Sequence, residues 1–308
     1  MQNHLYVSSS RIETLPTGDL RIHAPAKLNL GLRVFPPRAD GFHDLETWMV
    51  PLSWHDTLTI SLEGSHQLRI TGRAEGIPTE LDKNLVGRAA LKLAAAAGIE
   101  AQGTITLHKV LPPGGGLGGG SSDAANALVA LNVAWNLHWP EERLLALAAT
   151  LGSDIPFFIR SRPSLCTGRG EIMTDLVGHH PLFAVLLIPP QGCATEDVYA
   201  AFDQQIAASN HPPTAPATEW QSVARASAVK MLPLLRNDLE KPAFIVAPWL
   251  KTLRDRAQSL IGQPIHVTGS GSTLFTLTDS GAAANGLQQT LQLGLGDGIS
   301  VIAARILT

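Results

Sequence analysis

Cysteine is nearly absent from this chain: Cys166 and Cys193 are the only two in 308 residues, and each stands alone. That excludes a disulfide framework and a zinc ribbon, and it points to a reducing compartment. Charge is sparse too. Charged residues make up 16% of the chain, with 23 basic against 26 acidic and a net charge of −3. Without a basic surplus, binding to a phosphate polymer such as nucleic acid starts at a disadvantage. Long apolar runs are also missing. The strongest, Leu182 to Ile188, falls well short of the roughly 20 residues that cross a bilayer, so no membrane association is expected. The opening segment, MQNHLYVSSSRIETLPTGDL, lacks a basic start followed by an apolar stretch. No signal peptide is expected, and residues 1–20 read as a frayed extension. No internal repeat is visible.

What remains is a soluble-type composition, 44% apolar, long enough for about two domains and a substantial core. Strand-like segments fall at Ile22 to Val34, Glu46 to Leu52, Thr57 to Leu62 and Gly103 to Val110. Helical spacing appears at Asn84 to Ala97, Ala124 to Leu137 and Glu141 to Leu151. Beyond a composition shift around 165–180 come a buried-strand pattern (Pro181 to Ile188) and a Pro/Ala/Ser/Thr-rich stretch read as an exposed loop (Ala207 to Ser222). Helix at Asp238 to Gln258, a strand–turn–strand at Ile265 to Thr278, helix at Ala282 to Leu293 and a last strand at Ser300 to Ile306 complete the chain. Strands and helices mix in both halves, an α+β pattern, with expected domains at 21–172 and 173–308.

The strongest feature is Pro113-Gly114-Gly115-Gly116-Leu117-Gly118-Gly119-Gly120-Ser121-Ser122-Asp123, set between a strand and a helix. Six glycines in seven positions let backbone N–H groups approach a ligand closely. Ser121, Ser122 and Asp123 are N-cap types before an Ala-rich helix. Bare backbone before a helix start is an anion site. The segment is not a Walker loop, because Ser121 follows Gly120 where Lys is required. Gly114, Gly116 and Gly119 match G-x-G-x-x-G, but the second strand with its acidic end is missing, so dinucleotide binding is not expected.

Two other residues have alternative readings. Lys27 is either an edge-strand lysine facing water or a cation aimed at a reacting group. Asp154, before Ile155-Pro156, is either an N-cap or a carboxylate that accepts a proton from an attacking hydroxyl.

PPGGGLGGGSSDAA at 112–125 resembles the phosphate loop of the GHMP kinases, the superfamily of galactokinase, homoserine kinase and mevalonate kinase. APAKLNLGL (24–32) resembles that family's first motif and TGSGSTLF (268–275) its third. ADGFHDLET (39–47), LGSDIPFF (151–158) and NDLE (237–240) resemble the branch acting on a cytidine-diphosphate-linked methylerythritol, an intermediate of non-mevalonate isoprenoid synthesis.

The resemblance implies a two-domain α+β kinase. Its N-terminal nucleotide domain would be like domain 2 of ribosomal protein S5, and its C-terminal domain ferredoxin-like. ATP with magnesium would donate the phosphoryl group to a hindered alcohol in a cytoplasmic reaction. Residues 113–122 would hold ATP, with Ser121 or Ser122 offering a hydroxyl to phosphate or magnesium. Asp154 would be the catalytic base and Lys27 its partner. Asn29 would line the acceptor site, and Phe42, His43, Thr195 and Tyr199 the cytidine pocket. Two rivals stay open: another GHMP kinase acting on homoserine or a mevalonate-type acceptor, and a nucleotide-binding regulator without catalysis.

Overall fold

The computed structural model describes residues 11–178, 180–209 and 219–308. The chain divides into two compact units. The first holds residues 1–26, 54–113 and 118–161, and the second holds 27–53, 114–117 and 162–308. Two long strands, β2 (Leu20–Pro37) and β3 (His43–Ser61), each run from one unit into the other.

In the first unit a short strand β1 (Ile12–Thr14) pairs antiparallel with the start of β2, Ile12 opposite Ile22. A strand therefore lies inside the segment read as a frayed extension. The sheet continues through β3 to β5 (Thr104–Lys109) and then β4 (Gln67–Gly72), which runs parallel to β5. The sequence reading splits β3 into two strands at the polar stretch Ser53 to Asp56. The strand is continuous, because the Asp56 carboxylate finds buried partners instead of breaking the ladder. The short strand β4 was not anticipated.

Four helices belong to this unit: α1 (Leu85–Ala97), α2 (Gly119–Ala134), α3 (Glu141–Ala149) and α4 (Ile155–Arg160). The Asn84 side chain caps α1, accepting from the Val86 amide, and Gly98 closes it in the left-handed region, as the sequence suggests. Helix α2 is buried on nearly every face, with Ala124, Ala127, Leu128 and Leu131 fully covered. Small alanine side chains let α1 and α4 pack closely on it.

In the second unit, β6 (Ser164–Thr167) pairs with β3 and with β7 (Ile172–Asp175). A separate four-stranded antiparallel sheet is built from β8 (Phe183–Ile188), β9 (His266–Val267), β10 (Leu274–Thr278) and β11 (Ser300–Arg305). Its order is β11-β8-β10-β9. Helices α5 (Thr195–Ser209), α6 (Trp220–Val223), α7 (Ala228–Met231), α8 (Glu240–Val246) and α9 (Pro248–Ile261) lie between β8 and β9 in the chain. Helix α10 (Gly281–Leu295) connects β10 to β11. Strand, helices, two strands, helix, strand in that spatial order is the ferredoxin-like arrangement. Val185, Leu187, Val198, Leu250, Leu274 and Leu291 are core residues of this unit.

Most of the stretch read as an exposed loop, residues 210–218, lies outside the described residues. Its flanks differ from that reading. Residues 207–209 extend α5, and Trp220 is 4% exposed, its ring tilted against Trp48 with centroids 6.4 Å apart. The indole Nε1 donates to Glu46 Oε1 at 2.8 Å, and a side chain at Gly31 would collide with the ring. A lone tryptophan in a polar stretch is an anchor whose burial only the tertiary structure reveals.

Candidate active site

The glycine loop continues straight into α2, which starts five residues earlier than the sequence reading. Its N-cap is Gly118, at φ 71° and ψ 17°, with no side-chain capping bond. Ser121, Ser122 and Asp123 are therefore not caps but lie inside the first turns. A left-handed cap suits glycine because no Cβ clashes there. The first intrahelical bond runs from the Ser122 amide to Gly118 O, at 2.8 Å. The amides of Gly119, Gly120 and Ser121 thus precede the helical ladder, the arrangement that suits an anion at a helix N-terminus. A Cβ at Gly114 or Gly120 would meet nothing within 4 Å, so the backbone there is open to a ligand.

The two serines differ. Ser122 is fully buried, and its Oγ accepts from Asn126 Nδ2 at 3.3 Å. Ser121 is half-buried and keeps some exposure.

Beneath the loop lies a charge network that the sequence reading missed. Lys109, at the end of β5, donates to Asp56 on β3 and to Asp123 on α2, the latter at 2.7 Å. All three are nearly completely buried. Asp56 Oδ1 also accepts from the Leu111 amide at 2.8 Å and from the Val110 amide, so it holds the chain as it enters the loop. Burial alone would lower the Lys109 ammonium, but the two carboxylates outweigh it and raise it. Burial pushes Asp123 up to about 7, against the pull of Lys109 and with a push from Asp56. Its Oδ1 is buried without a hydrogen-bond partner among the described residues.

The second unit gathers the other motifs. Lys27 and Asn29 alternate to one side of β2, both buried, with the Lys27 ammonium donating to Asn29 Oδ1. The Lys27 amide donates to Leu117 O at 2.9 Å. The edge-strand alternative for Lys27 is thereby overturned. Asn29 is fixed from three sides: its amide donates to Thr268 Oγ1 at 2.8 Å, its Nδ2 to Thr47 Oγ1 at 2.8 Å, and its Oδ1 faces Lys27. The turn at 268–273 packs on the glycine loop. Thr273 Oγ1 donates to Gly115 O at 2.7 Å, and a Cβ on Gly116 would lie 2.9 Å from Gly271 O. Asn237 braces that turn, donating to Val267 O and Gly269 O at 2.8 and 2.7 Å. Thr195 opens α5 with its hydroxyl 2.9 Å from Ser270 Oγ.

The aromatic residues also belong to this unit. His43 lies 5.2 Å from the Tyr199 ring and 5.9 Å from Phe202. Its Nδ1 is 2.7 Å from Phe35 O, so that nitrogen carries a proton and donates. Nε2 faces Asp203 at 3.4 Å. Phe42 is 49% exposed, with the Arg169 guanidinium 3.8 Å from its ring centroid.

Asp154 belongs to the first unit. It precedes α4 in the N-cap position, yet its side chain makes no capping bond. Pro156 within the first turn removes one amide that a cap would have served. Cys166 and Cys193 are buried thiols, the Cys166 Sγ donating to Ser164 O at 3.8 Å, and burial pushes the Cys193 thiol up.

A model described as GHMP kinases N terminal domain matches residues 84–162, and one described as GHMP kinases C terminal matches 219–293. A 4-diphosphocytidyl-2-C-methyl-D-erythritol kinase of Heliobacterium modesticaldum is 35% identical over 286 residues, covering 89% of this chain and 90% of that protein. One of Methylacidiphilum infernorum is 37% identical, covering 89% and 92%. A crystal structure of 4-(cytidine 5'-diphospho)-2C-methyl-D-erythritol kinase superposes with a TM-score of 0.77 at 35% identity, covering 94% of this chain and 99% of that one. Homoserine kinase from Cytophaga hutchinsonii, at 17% identity and a TM-score of 0.69, shares the fold. The chain has the two-domain GHMP kinase fold and belongs to the GHMP kinases, in the family of the 4-diphosphocytidyl-2-C-methyl-D-erythritol kinases.

Proposed function

We propose that this chain transfers a phosphoryl group from ATP to the 2-hydroxyl of 4-diphosphocytidyl-2-C-methyl-D-erythritol, a step of non-mevalonate isoprenoid precursor synthesis. The observation that carries the reading is end-to-end similarity to enzymes of that name, over 89% of the chain. In this reading residues 21–172 form the nucleotide-binding domain, residues 173–308 complete the acceptor side, and residues 1–20 are an extension. The chemistry is soluble and cytoplasmic, in keeping with two buried cysteines that stand as thiols. Among the described residues no helix is long and apolar enough to cross a membrane.

Phosphoryl transfer asks mainly for positioning and charge stabilisation. Residues 113–122 take the phosphates. The unladdered amides of Gly119, Gly120 and Ser121 and the open backbone at Gly114 and Gly120 support this role. No cluster of three or more His, Cys, Asp or Glu among the described residues could hold a metal. Of the two loop hydroxyls that could help to hold magnesium, Ser121 fits better than Ser122, whose oxygen is committed to Asn126. When bound, the ion supplies charge neutralisation on the phosphates.

Asp154 takes the proton of the acceptor hydroxyl; its carboxylate is not spent on capping. Lys27, held by Asn29, supplies a positive charge for the acceptor hydroxyl or the transferring phosphate. Asn29 and Thr195 line the acceptor side. Phe42, His43 and Tyr199 take the cytosine, the aromatic rings by stacking and His43 by hydrogen bonding.

ADP release measured with the cytidine-linked substrate, homoserine and mevalonate in turn tests the assignment. Turnover with the first alone is expected. Turnover with homoserine or mevalonate would reassign the acceptor, and none with any of the three would favour the regulator.

A further inference from the structure

No role assigned so far reaches back before Lys27, yet Arg11 is bonded into the interior of the first unit. Its Nη1 donates to Ile159 O at 2.8 Å and its Nη2 to Phe158 O at 3.3 Å. The same Nη2 donates to Asn126 Oδ1. Phe158 and Ile159 lie in the last turn of α4, where carbonyls lack helical partners and a cation is favoured. Helix α4 has six residues and begins directly after Asp154. So short a helix does not hold its own shape, and its orientation depends on outside contacts.

The other end of the contact leads to the phosphate loop. Asn126 lies one turn along α2 from Ser122, and its Nδ2 donates to Ser122 O at 2.8 Å. Asn126 and Ser122 are fully buried. One planar guanidinium therefore grips the helix that follows Asp154 and the asparagine bonded to the first turns of α2. Lysine lacks the fixed fork needed to reach these acceptors together.

We propose that Arg11 is a positioning residue for phosphoryl transfer, holding α4 against the start of α2 so that Asp154 is fixed relative to the amides of Gly119, Gly120 and Ser121. The proposal rests on the reading of Asp154 as base. It gives the segment before the first motif a part in turnover.

The test compares Arg11→Met, Arg11→Lys and Asp154→Asn in the full chain by steady-state kinetics, thermal unfolding and rescue with added guanidinium ion at non-denaturing concentration. Displacing a catalytic group by about an ångström costs up to about a hundredfold, so Arg11→Met should lower kcat about ten- to hundredfold. The acceptor KM should stay within about twofold, because binding contacts are untouched. Guanidinium ion should restore part of kcat in Arg11→Met and none in Asp154→Asn. A folded Arg11→Met protein with unchanged kcat and only a lower Tm would overturn the proposal. Should Arg11→Met not fold, Arg11→Lys keeps the charge without the fork; lost kcat supports the proposal and unchanged kcat overturns it. Near-normal turnover in Asp154→Asn overturns the base reading instead, whatever Arg11 does.

Discussion

At the scale of the residue, Asp154 and Tyr199 carry the sharpest consequences. Asp154→Asn keeps the shape and removes the basic site, so the loss should fall on turnover. At least about a hundredfold in kcat is the scale of a general base, with ATP binding retained. Isothermal titration with ATP beside the kinetic assay checks both halves, and near-normal turnover in the folded variant would sink the assignment. Tyr199 is half-buried with its ring near His43. If it stacks on cytosine, Tyr199→Ala removes about 1–3 kcal/mol and raises the acceptor KM about five- to hundredfold. The ATP KM should barely move, because adenine is bound elsewhere. The opposite pattern, ATP weakened and acceptor untouched, would remove the cytidine pocket from this place. His43 should tolerate substitution better than Phe42 if it reads the base largely through its backbone.

At the scale of the element, the glycine loop runs directly into α2. Gly118 is the junction between them, at a positive φ that a β-branched residue adopts only with strain. Gly118→Val should therefore impair ATP binding more than acceptor binding, measured by calorimetry with each ligand separately. Equal weakening of both would indicate general misfolding. The loop was plain in the sequence because glycine density needs no context. The helix start was not, because Ser121, Ser122 and Asp123 have the same cap chemistry wherever they stand. Asn126, one turn further along α2, and Lys109, on β5, draw two of these side chains inward. The short strands β4, β6 and β7 escaped notice for a related reason: a few residues of weak alternation become strand only when a neighbour's ladder is there to pair with.

At the scale of the whole molecule, the buried Asp56–Lys109–Asp123 network links folding to pH. The Asp123 carboxyl stands at about 7 in the folded protein against an ordinary 3.8. Between those values the folded state holds a proton that the unfolded chain releases, so stability from this group declines as pH rises and levels off above the folded value. Asp123→Asn removes that dependence. The Tm of the variant relative to the parent should become more favourable from about pH 5 to pH 8. Thermal unfolding across that range is the measurement, and a difference independent of pH would refute the assignment.

The sequence by itself determined the family and the order of its motifs, from residues 24 to 275, because glycine-rich turns and local helix signals are readable without tertiary context. It also marked Lys27 and Asp154 as residues worth testing, though with a bland alternative beside each. Tertiary structure alone showed how each of the two is held. Lys27 proved buried against Asn29, and Asp154 proved free of capping duty. It alone showed Trp220 to be an anchor, Asp56 to belong to a continuous strand, and Arg11 to reach α4. For Trp220, Asp56 and Arg11 the deciding partner lies far along the chain. A polar side chain's role depends on whether burial brings it a partner, and no local pattern encodes that.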